Sequence, residues 1–175
     1  ILEQDPYSPE RLHEPLDYLV SLSAAALVEM RALIFELRPE ALEKEGLVVL
    51  LEQHAAAARS RHKIEVETDF IDEPDLAVET KEALLRVAQE AVNNAVKHAR
   101  ASNLAIALRT HEEYLLLEVR DNGRGFNPGQ DYPGRIGLST MRERIEAQGG
   151  RLEITSASGE GTRIRAFIPY MRDSR

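Results

Sequence analysis

The feature that most constrains this chain is an apolar stripe along its first 39 residues. The stripe advances in alternating steps of four and three, through Leu12, Leu16, Leu19, Ser23, Ala26, Met30, Leu33 and Leu37. Apolar residues beside it, among them Val20, Leu27 and Ile34, make it wider than a two-helix seam. Such a stripe cannot be left in water. We therefore expect a long helix that packs against another helix, in this chain or in a second copy.

The composition is that of a globular protein with few options for nucleic-acid or metal–thiolate chemistry. Apolar residues make up 43% and charged residues 30%. The net charge of −8 argues against nucleic-acid binding, and the lack of cysteine removes disulfides and thiolate zinc sites. No apolar run reaches the roughly 18–20 residues that span a bilayer. We expect a cytoplasmic domain without membrane contact, and, since it starts at Ile1 without an initiator methionine, part of a longer protein.

Beyond Pro39, which should end the first helix, periodicity predicts alternating helices and strands. Helices are predicted at about 47–61, 77–98 and 138–148. Strands are predicted at about 64–68, 104–109, 114–120, 151–155 and 162–168. A loop with several glycines covers about 121–134.

Polar side chains cluster on one face of the predicted helix 77–98. Glu90, Asn94 and His98 are four residues apart, with Lys97 beside them. A carboxylate, an amide oxygen and an ammonium on one stripe suit a magnesium–phosphate group, because magnesium prefers hard oxygen ligands and lysine neutralises phosphate. An ordinary solvated face would show the same pattern, and His98 alone could be a histidine stabilised by the helix dipole.

Two glycine-containing blocks follow. The first comes directly after a strand and reads Asp121-Asn122-Gly123-Arg124-Gly125-Phe126. An ionised aspartate only accepts hydrogen bonds, and glycines let the backbone approach a ligand, although a plain loop with an Asn-Gly turn would look similar.

The second glycine block is Gly134-Arg135-Ile136-Gly137-Leu138, which opens a helix, and Gly159-Glu160-Gly161-Thr162 follows further on. Backbone N–H groups at a helix N-terminus can bind phosphate. The block has neither the lysine of a Walker P-loop nor the strand–turn–helix order of a dinucleotide fingerprint.

In order and spacing, the three blocks resemble the N, G1 and G2 boxes of the ATPase family that joins gyrase, a heat-shock chaperone, mismatch-repair proteins and histidine kinases. Within it, Leu37-Arg38-Pro39, Gly46-Leu47, the Asn94–Ala99 run and the Gly137–Arg144 run resemble nitrate-sensor-like histidine kinases. The resemblance covers about residues 30–169. It implies an α/β two-layer sandwich of the Bergerat type, with a mixed sheet covered on one face by three helices. Residues 1–39 would be the second helix of a dimerisation hairpin, and 40–175 the ATP-binding catalytic domain.

The resemblance also assigns roles to single residues. Asn94 would coordinate Mg²⁺, Glu90 would sit by the metal, and Lys97 and His98 would face the phosphates. At the other end of ATP, Asp121 would accept the adenine amino group. Gly123 and Gly125 would leave room for the adenine ring. Gly137, with Leu138 beside it, would contact phosphate, and Thr162 would line the adenine end of the pocket.

The implied chemistry is transfer of the γ-phosphoryl group of ATP to a histidine, for relay to a response regulator, by a homodimer joined through the N-terminal helix. His13 is the only histidine in that helix, and Glu14 follows it. About two dozen residues separate His13 from Pro39, roughly 36 Å of helix, which leaves no room for a hairpin. We therefore expect the acceptor histidine to lie outside this chain.

Two alternatives remain open on the sequence alone. In an ATP-hydrolysing switch like the gyrase branch, Glu90 would activate water as a general base. In a nucleotide-gated interaction module, the same pocket would serve binding only. The short lid between Phe126 and Gly137 and the lack of the phenylalanine box of commoner kinases both suit the nitrate-sensor class.

Overall fold

A five-stranded mixed sheet organises the part of the chain described by the computed structural model, residues 39–62, 64–111, 113–127 and 135–170. Its strands are β1 Glu65–Phe70, β2 Asn103–Thr110, β3 Tyr114–Asp121, β4 Arg151–Ala157 and β5 Gly161–Pro169. The strand order is β1-β2-β3-β5-β4. Only the β1–β2 pair is parallel among the described strands, and the other pairs are antiparallel. The N-terminal heptad helix with His13, and Gly134, lie outside the described residues.

Helices cover one face of this sheet. They are α1 Pro39–Glu45, α2 Leu47–His62, α3 Val78–Asn94 and α4 Arg135–Glu146, and a π-helical turn, Ala95–Ala99, continues α3. Helix α2 packs on β1, α3 on β3 and β5, and α4 on β4, while α3 contacts both of its neighbours. Nowhere in the described ranges is a helix both long and apolar enough to cross a membrane. The layer of α2, α3 and α4 over a mixed sheet confirms the predicted α/β two-layer sandwich.

The strand alternation that builds the core also positions polar residues at its edge. Leu115, Leu117 and Val119 of β3 are almost completely buried, and they share their face with the next alternate residue, Asp121. Thr162 of β5 is the cross-strand partner of Asp121. Each fully buried aliphatic side chain contributes about 1.5–3 kcal/mol to stability. The apolar face of the sheet thus ends, at Asp121 and Thr162, in a carboxylate and a hydroxyl.

The helices differ from the prediction in three main respects: a short helix begins at Pro39, α3 ends at Asn94, and α4 begins at Arg135 rather than near residue 138. Pro39 begins α1 because proline is tolerated at the first helical position. This short helix, which was not predicted, stops before Gly46, whose φ of +86° and N–H bond of 3.1 Å to the Leu42 carbonyl form a left-handed cap. The predicted helix 77–98 keeps α-geometry only to Asn94, and the π-helical turn takes over from there.

The start of α2 is capped by a side chain from a distant loop. The Glu73 carboxylate accepts the N–H groups of Leu47 and Val48, both at 2.8 Å, and pairs with Lys81 Nζ at 2.8 Å. These N–H groups have no partner inside the helix. A Cβ atom at Gly46 would lie 2.7 Å from the Glu73 carboxyl carbon. Glycine is therefore required at position 46 for two reasons, its left-handed backbone conformation and the close approach of the Glu73 carboxylate.

Replacing Glu73 with alanine should lower the free energy of unfolding by about 1 kcal/mol, the usual cost of losing a cap after solvent screening is allowed for. Burial tends to raise the pKa of Glu73, but the Lys81 ammonium and the Val48 and Leu47 N–H groups outweigh it and lower the pKa. A carboxyl group with a lowered pKa stabilises the fold at pH values above its ordinary pKa of 4.5. This contribution is lost as the pH falls through the folded-state pKa.

Urea titrations at pH 7 and under acidic conditions measure both effects. Asp72→Ala is the matched control, because Asp72 is an exposed carboxylate next to Glu73 that takes no part in the cap. Equal stability of the two variants at pH 7 would contradict the capping role.

Candidate functional site

A cleft opens at one end of the strands, where the end of β3 and the start of β5 lie near the end of α3 and the beginning of α4. The loop after β3 forms one wall of the cleft. The side chains and backbone that line it belong to Ala91, Asn94, His98, Ala99, Asp121, Arg124, Gly125, Phe126, Leu138, Thr162 and Ile164. Its walls thus combine an apolar floor with a few polar groups, the composition typical of a small-molecule site.

Asp121 supplies the buried charge of the cleft. It is the last residue of β3, it is 8% exposed, and no other charged residue in the described ranges is buried. Burial raises its pKa above the ordinary value of 3.8, while the backbone N–H groups of Gly123 and Thr162 oppose the shift. The Gly123 N–H donates to Asp121 Oδ1 at 2.8 Å. An ionised carboxylate offers about four lone-pair sites, so these backbone N–H groups leave acceptor capacity for a donor in the cleft.

The loop after β3 is held by backbone contacts that require glycine. A Cβ at Gly123 would collide with the backbone of Ala99. Gly125 has a φ of +59°, and a Cβ there would lie 2.9 Å from the Gly161 carbonyl oxygen. The Arg124 N–H donates to the Ala99 carbonyl at 2.8 Å. Besides any room they leave for a ring, the glycines thus pack this loop against the π-helical turn and the β4–β5 hairpin.

The π-helical turn Ala95–Ala99 supplies His98 and Ala99 to the cleft wall. Asn94, the last residue of α3, is half-buried and lines the cleft, as does the exposed His98. Lys97 is exposed and does not line the cleft. Arg100 closes the turn in the left-handed conformation, with φ +53°, and its N–H bonds to the Ala95 carbonyl. Short π-helical segments are frequent at functional sites, where they re-aim side chains.

Glu90 and Gly137 meet where α3 passes the first turn of α4. A Cβ at Gly137 would lie 2.5 Å from Glu90 Oε1, so only glycine fits there without a shift. The Glu90 carboxylate is half-buried and lies against the N-terminal turn of α4. Leu138, next to Gly137, lines the cleft. The predicted metal-side acid and the predicted phosphate-binding turn are therefore neighbours.

Six of the predicted site residues line the cleft, namely Asn94, His98, Asp121, Gly125, Leu138 and Thr162. The other four, Glu90, Lys97, Gly123 and Gly137, lie on the same elements but outside the lining. Ala91, Ala99 and Ile164 form part of the floor and were not predicted as site residues. The sequence signals for these residues were the small side chains near Asn94 and the position of Ile164, two residues after Thr162.

Ser156 of β4 also belongs to the site, although it was not predicted. Its hydroxyl accepts the Phe126 N–H at 2.9 Å, lies 2.9 Å from the Gly161 carbonyl oxygen, and lies 3.1 Å from Thr162 Oγ1. A second bond, from the Gly159 N–H to the Arg124 carbonyl at 2.7 Å, joins the same hairpin to the loop. The β4–β5 hairpin therefore supports both the loop after β3 and the Thr162 hydroxyl.

Comparison with known proteins places this architecture. The family model described as histidine kinase-, DNA gyrase B-, and HSP90-like ATPase matches residues 79–172. That range contains α3 except its first residue, the residues that line the cleft, and strands β2 to β5. The chain belongs to this ATPase family. Family membership confirms the prediction of an ATP-binding domain.

Two relatives of this ATPase domain are named as sensor histidine kinases or sensor-like histidine kinases. It is 37% identical over 178 residues to an uncharacterised sensor-like histidine kinase of Chloroflexus aurantiacus, covering 97% of this chain and 29% of that protein. It is 32% identical over 179 residues to the sensor histidine kinase LiaS of Bacillus subtilis, covering all of this chain and 48% of LiaS. The chain thus spans less than half the length of these relatives.

A solved structure supports the same conclusion. The blue-light activated histidine kinase of Erythrobacter litoralis EL346 superposes with a TM-score of 0.58 at 30% identity, over 68% of this chain and 40% of that one. The domain is therefore confirmed as a catalytic ATPase domain of the histidine-kinase type. Its assignment to the nitrate-sensor class within that group stays a prediction.

Proposed function

We propose that this ATPase domain binds ATP together with Mg²⁺ and transfers the γ-phosphoryl group to a histidine, from which a response regulator receives it. The observation that carries the proposal is the buried carboxylate of Asp121, which lines the cleft. A buried carboxylate without a cationic partner is costly unless it has hydrogen-bond donors. The exocyclic amino group of adenine is such a donor.

The geometry of Asp121 supports adenine over guanine. Oδ1 already accepts the Gly123 N–H, so the second oxygen can accept a hydrogen bond from the base. Adenine presents an amino group at the position where guanine presents a carbonyl oxygen. A carbonyl facing this carboxylate would leave two buried acceptors unpaired, which is the strongest form of discrimination against an analogue.

The residues at the other end of the cleft fit Mg²⁺ bound together with phosphate. Asn94 offers an amide oxygen one helical turn from the Glu90 carboxylate. A phosphate at the first turn of α4 would lie close to Glu90, and two anions at that distance need a cation between them. Within the described part of the chain no group of three His, Asp or Glu residues forms a metal cage. Few protein ligands plus phosphate oxygens and water are what Mg²⁺ commonly uses.

Phosphoryl transfer needs little covalent help from the protein. The metal would neutralise the phosphate charge, and the chain's task is to hold ATP with its γ-phosphate in line with the acceptor. The exposed Lys97 and His98 are on the π-helical turn beside Asn94, where they can supply further positive charge. In this proposal residues 1–39 contribute a homodimerisation helix, residues 40–175 the catalytic domain, and the reaction draws on cytoplasmic ATP.

The chain of 175 residues should bind ATP without phosphorylating itself. The acceptor imidazole must come within about 3–3.5 Å of the γ-phosphate, in line. His13 lies too close to Pro39 in sequence for a hairpin that could return it to the cleft. Incubation with γ-labelled ATP and Mg²⁺ is the measurement, read as acid-labile label on the protein.

The histidine variants make this result specific. One result would contradict the placement of the acceptor outside the chain: the wild type and His111→Gln keep the acid-labile label, and His13→Gln loses it. Rapid release of labelled phosphate without protein labelling would instead favour the ATP-hydrolysing switch, in which Glu90 activates water.

A further inference from the structure

The hydroxyl of Ser156 has a fixed hydrogen-bond arrangement. A serine hydroxyl has one proton to donate and two lone pairs to accept with. The Phe126 N–H uses one lone pair, and the Gly161 carbonyl can only accept, so it takes the single proton of Ser156. The remaining contact, 3.1 Å to Thr162 Oγ1, must then be a bond that Thr162 donates. All three positions of the Ser156 hydroxyl are used.

This arrangement determines what Thr162 can offer a ligand. Its hydroxyl proton points to Ser156, so only lone pairs of Oγ1 remain for the cleft that Thr162 lines. Asp121, its cross-strand partner, is likewise an acceptor when ionised. The polar side-chain groups at the base end of the cleft therefore form an edge of acceptors, supplied by two neighbouring strands.

We propose that Ser156, which does not itself line the cleft, is a positioning residue for base selectivity because it holds the Thr162 hydroxyl in its acceptor orientation. The proposal rests on the proposed function, in that Asp121 and Thr162 must face the purine. An acceptor edge matches the amino group of adenine and opposes a 6-oxo purine. If the Ser156 hydroxyl is removed, Thr162 can turn its proton towards the base and donate to the 6-oxo group.

The test compares ATP with inosine triphosphate, in which a carbonyl oxygen replaces the adenine amino group and N1 carries a proton. Calorimetry on the whole chain with Mg²⁺ gives the ratio of the two dissociation constants for wild type and Ser156→Ala. We expect wild type to prefer ATP strongly and Ser156→Ala to reduce this preference by about 3- to 10-fold, as one neutral hydrogen bond gained by the 6-oxo purine would do. Any general loosening of the loop after β3 affects both nucleotides and cancels in the ratio.

Three further variants make the test decisive. Ser156→Thr keeps a hydroxyl and should retain the wild-type ratio. Thr162→Val removes the Thr162 hydroxyl and keeps a side chain of nearly the same shape. Adding Ser156→Ala to Thr162→Val should then change the ratio of dissociation constants less than about twofold, because the two residues act through one hydrogen bond. Should Ser156→Ala not fold, Ser156→Cys, whose thiol is a weak donor and acceptor, replaces it.

The outcomes separate this inference from the proposed function. Equal losses of affinity for both nucleotides in Ser156→Ala, or the same change of ratio in the Thr162→Val background, would overturn the role of Ser156. A wild-type chain that binds both nucleotides equally would overturn the adenine site itself.

Discussion

Replacing Asp121 with asparagine should lower the affinity for ATP by about 100-fold or more and remove the preference for ATP over GTP. Oδ1 accepts the Gly123 N–H, so the carbonyl oxygen of the new amide stays in that bond. The NH₂ group then occupies the second position and faces the amino group of adenine, donor against donor. Two buried groups left unpaired cost about 1–3 kcal/mol each, which corresponds to this loss of affinity.

The same substitution also tests the charge. Burial raises the pKa of Asp121 above the ordinary value of 3.8, so ATP binding should weaken as the pH falls through that raised pKa. The asparagine variant should lack that pH dependence. Asp69→Asn is the matched control, because Asp69 is an exposed β1 carboxylate that pairs with Arg109 at 2.7 Å. ATP binding by Asp121→Asn at the level of this control would remove Asp121 from the site.

Replacing Asn94 with alanine should abolish most of the magnesium dependence of ATP binding. Wild type should bind ATP about 10- to 100-fold more tightly with Mg²⁺ than with a chelator, and the variant should show a ratio near one. The physical reason is that the Asn94 amide lines the cleft one turn from Glu90, whereas few other protein oxygens are available there. Calorimetry with and without Mg²⁺ measures the ratio.

Asn93→Ala is the control for this experiment. Asn93 precedes Asn94 on α3, is equally half-buried and does not line the cleft, so its variant should keep the wild-type dependence. Thermal unfolding of both variants should stay near wild type. Full magnesium dependence in Asn94→Ala would place the metal on other ligands.

Much of the fold could be predicted because it depends on periodicity. The alternating strands β3 and β5 and the apolar face of α3 carry their burial pattern in the sequence, and all eight helices and strands predicted beyond Pro39 are present among the described residues. Asp121 was identifiable for a related reason, since a carboxylate directly between a strand and a pair of glycines has few structural roles. Local pattern and local chemistry agree at these positions.

Features that depend on contacts between distant segments could not be predicted. The π-helical turn Ala95–Ala99 contains Lys97 and His98, which interrupt the apolar repeat, so no periodicity marks its register. Glu73 caps a helix 25 and 26 residues away, and in the sequence it is one of several acids near Pro74. Ser156 resembles any half-buried strand residue, and its role arises only from the meeting of the loop after β3 with the hairpin.

The most direct test of the central claim, an adenine site built on a buried carboxylate, is calorimetric titration of the wild-type chain with ATP and with GTP in the presence of Mg²⁺. The structure predicts saturable binding of ATP and an affinity for GTP lower by about two orders of magnitude, because the guanine carbonyl would face Asp121. Equal affinities for the two nucleotides, or no binding of ATP, would contradict the claim.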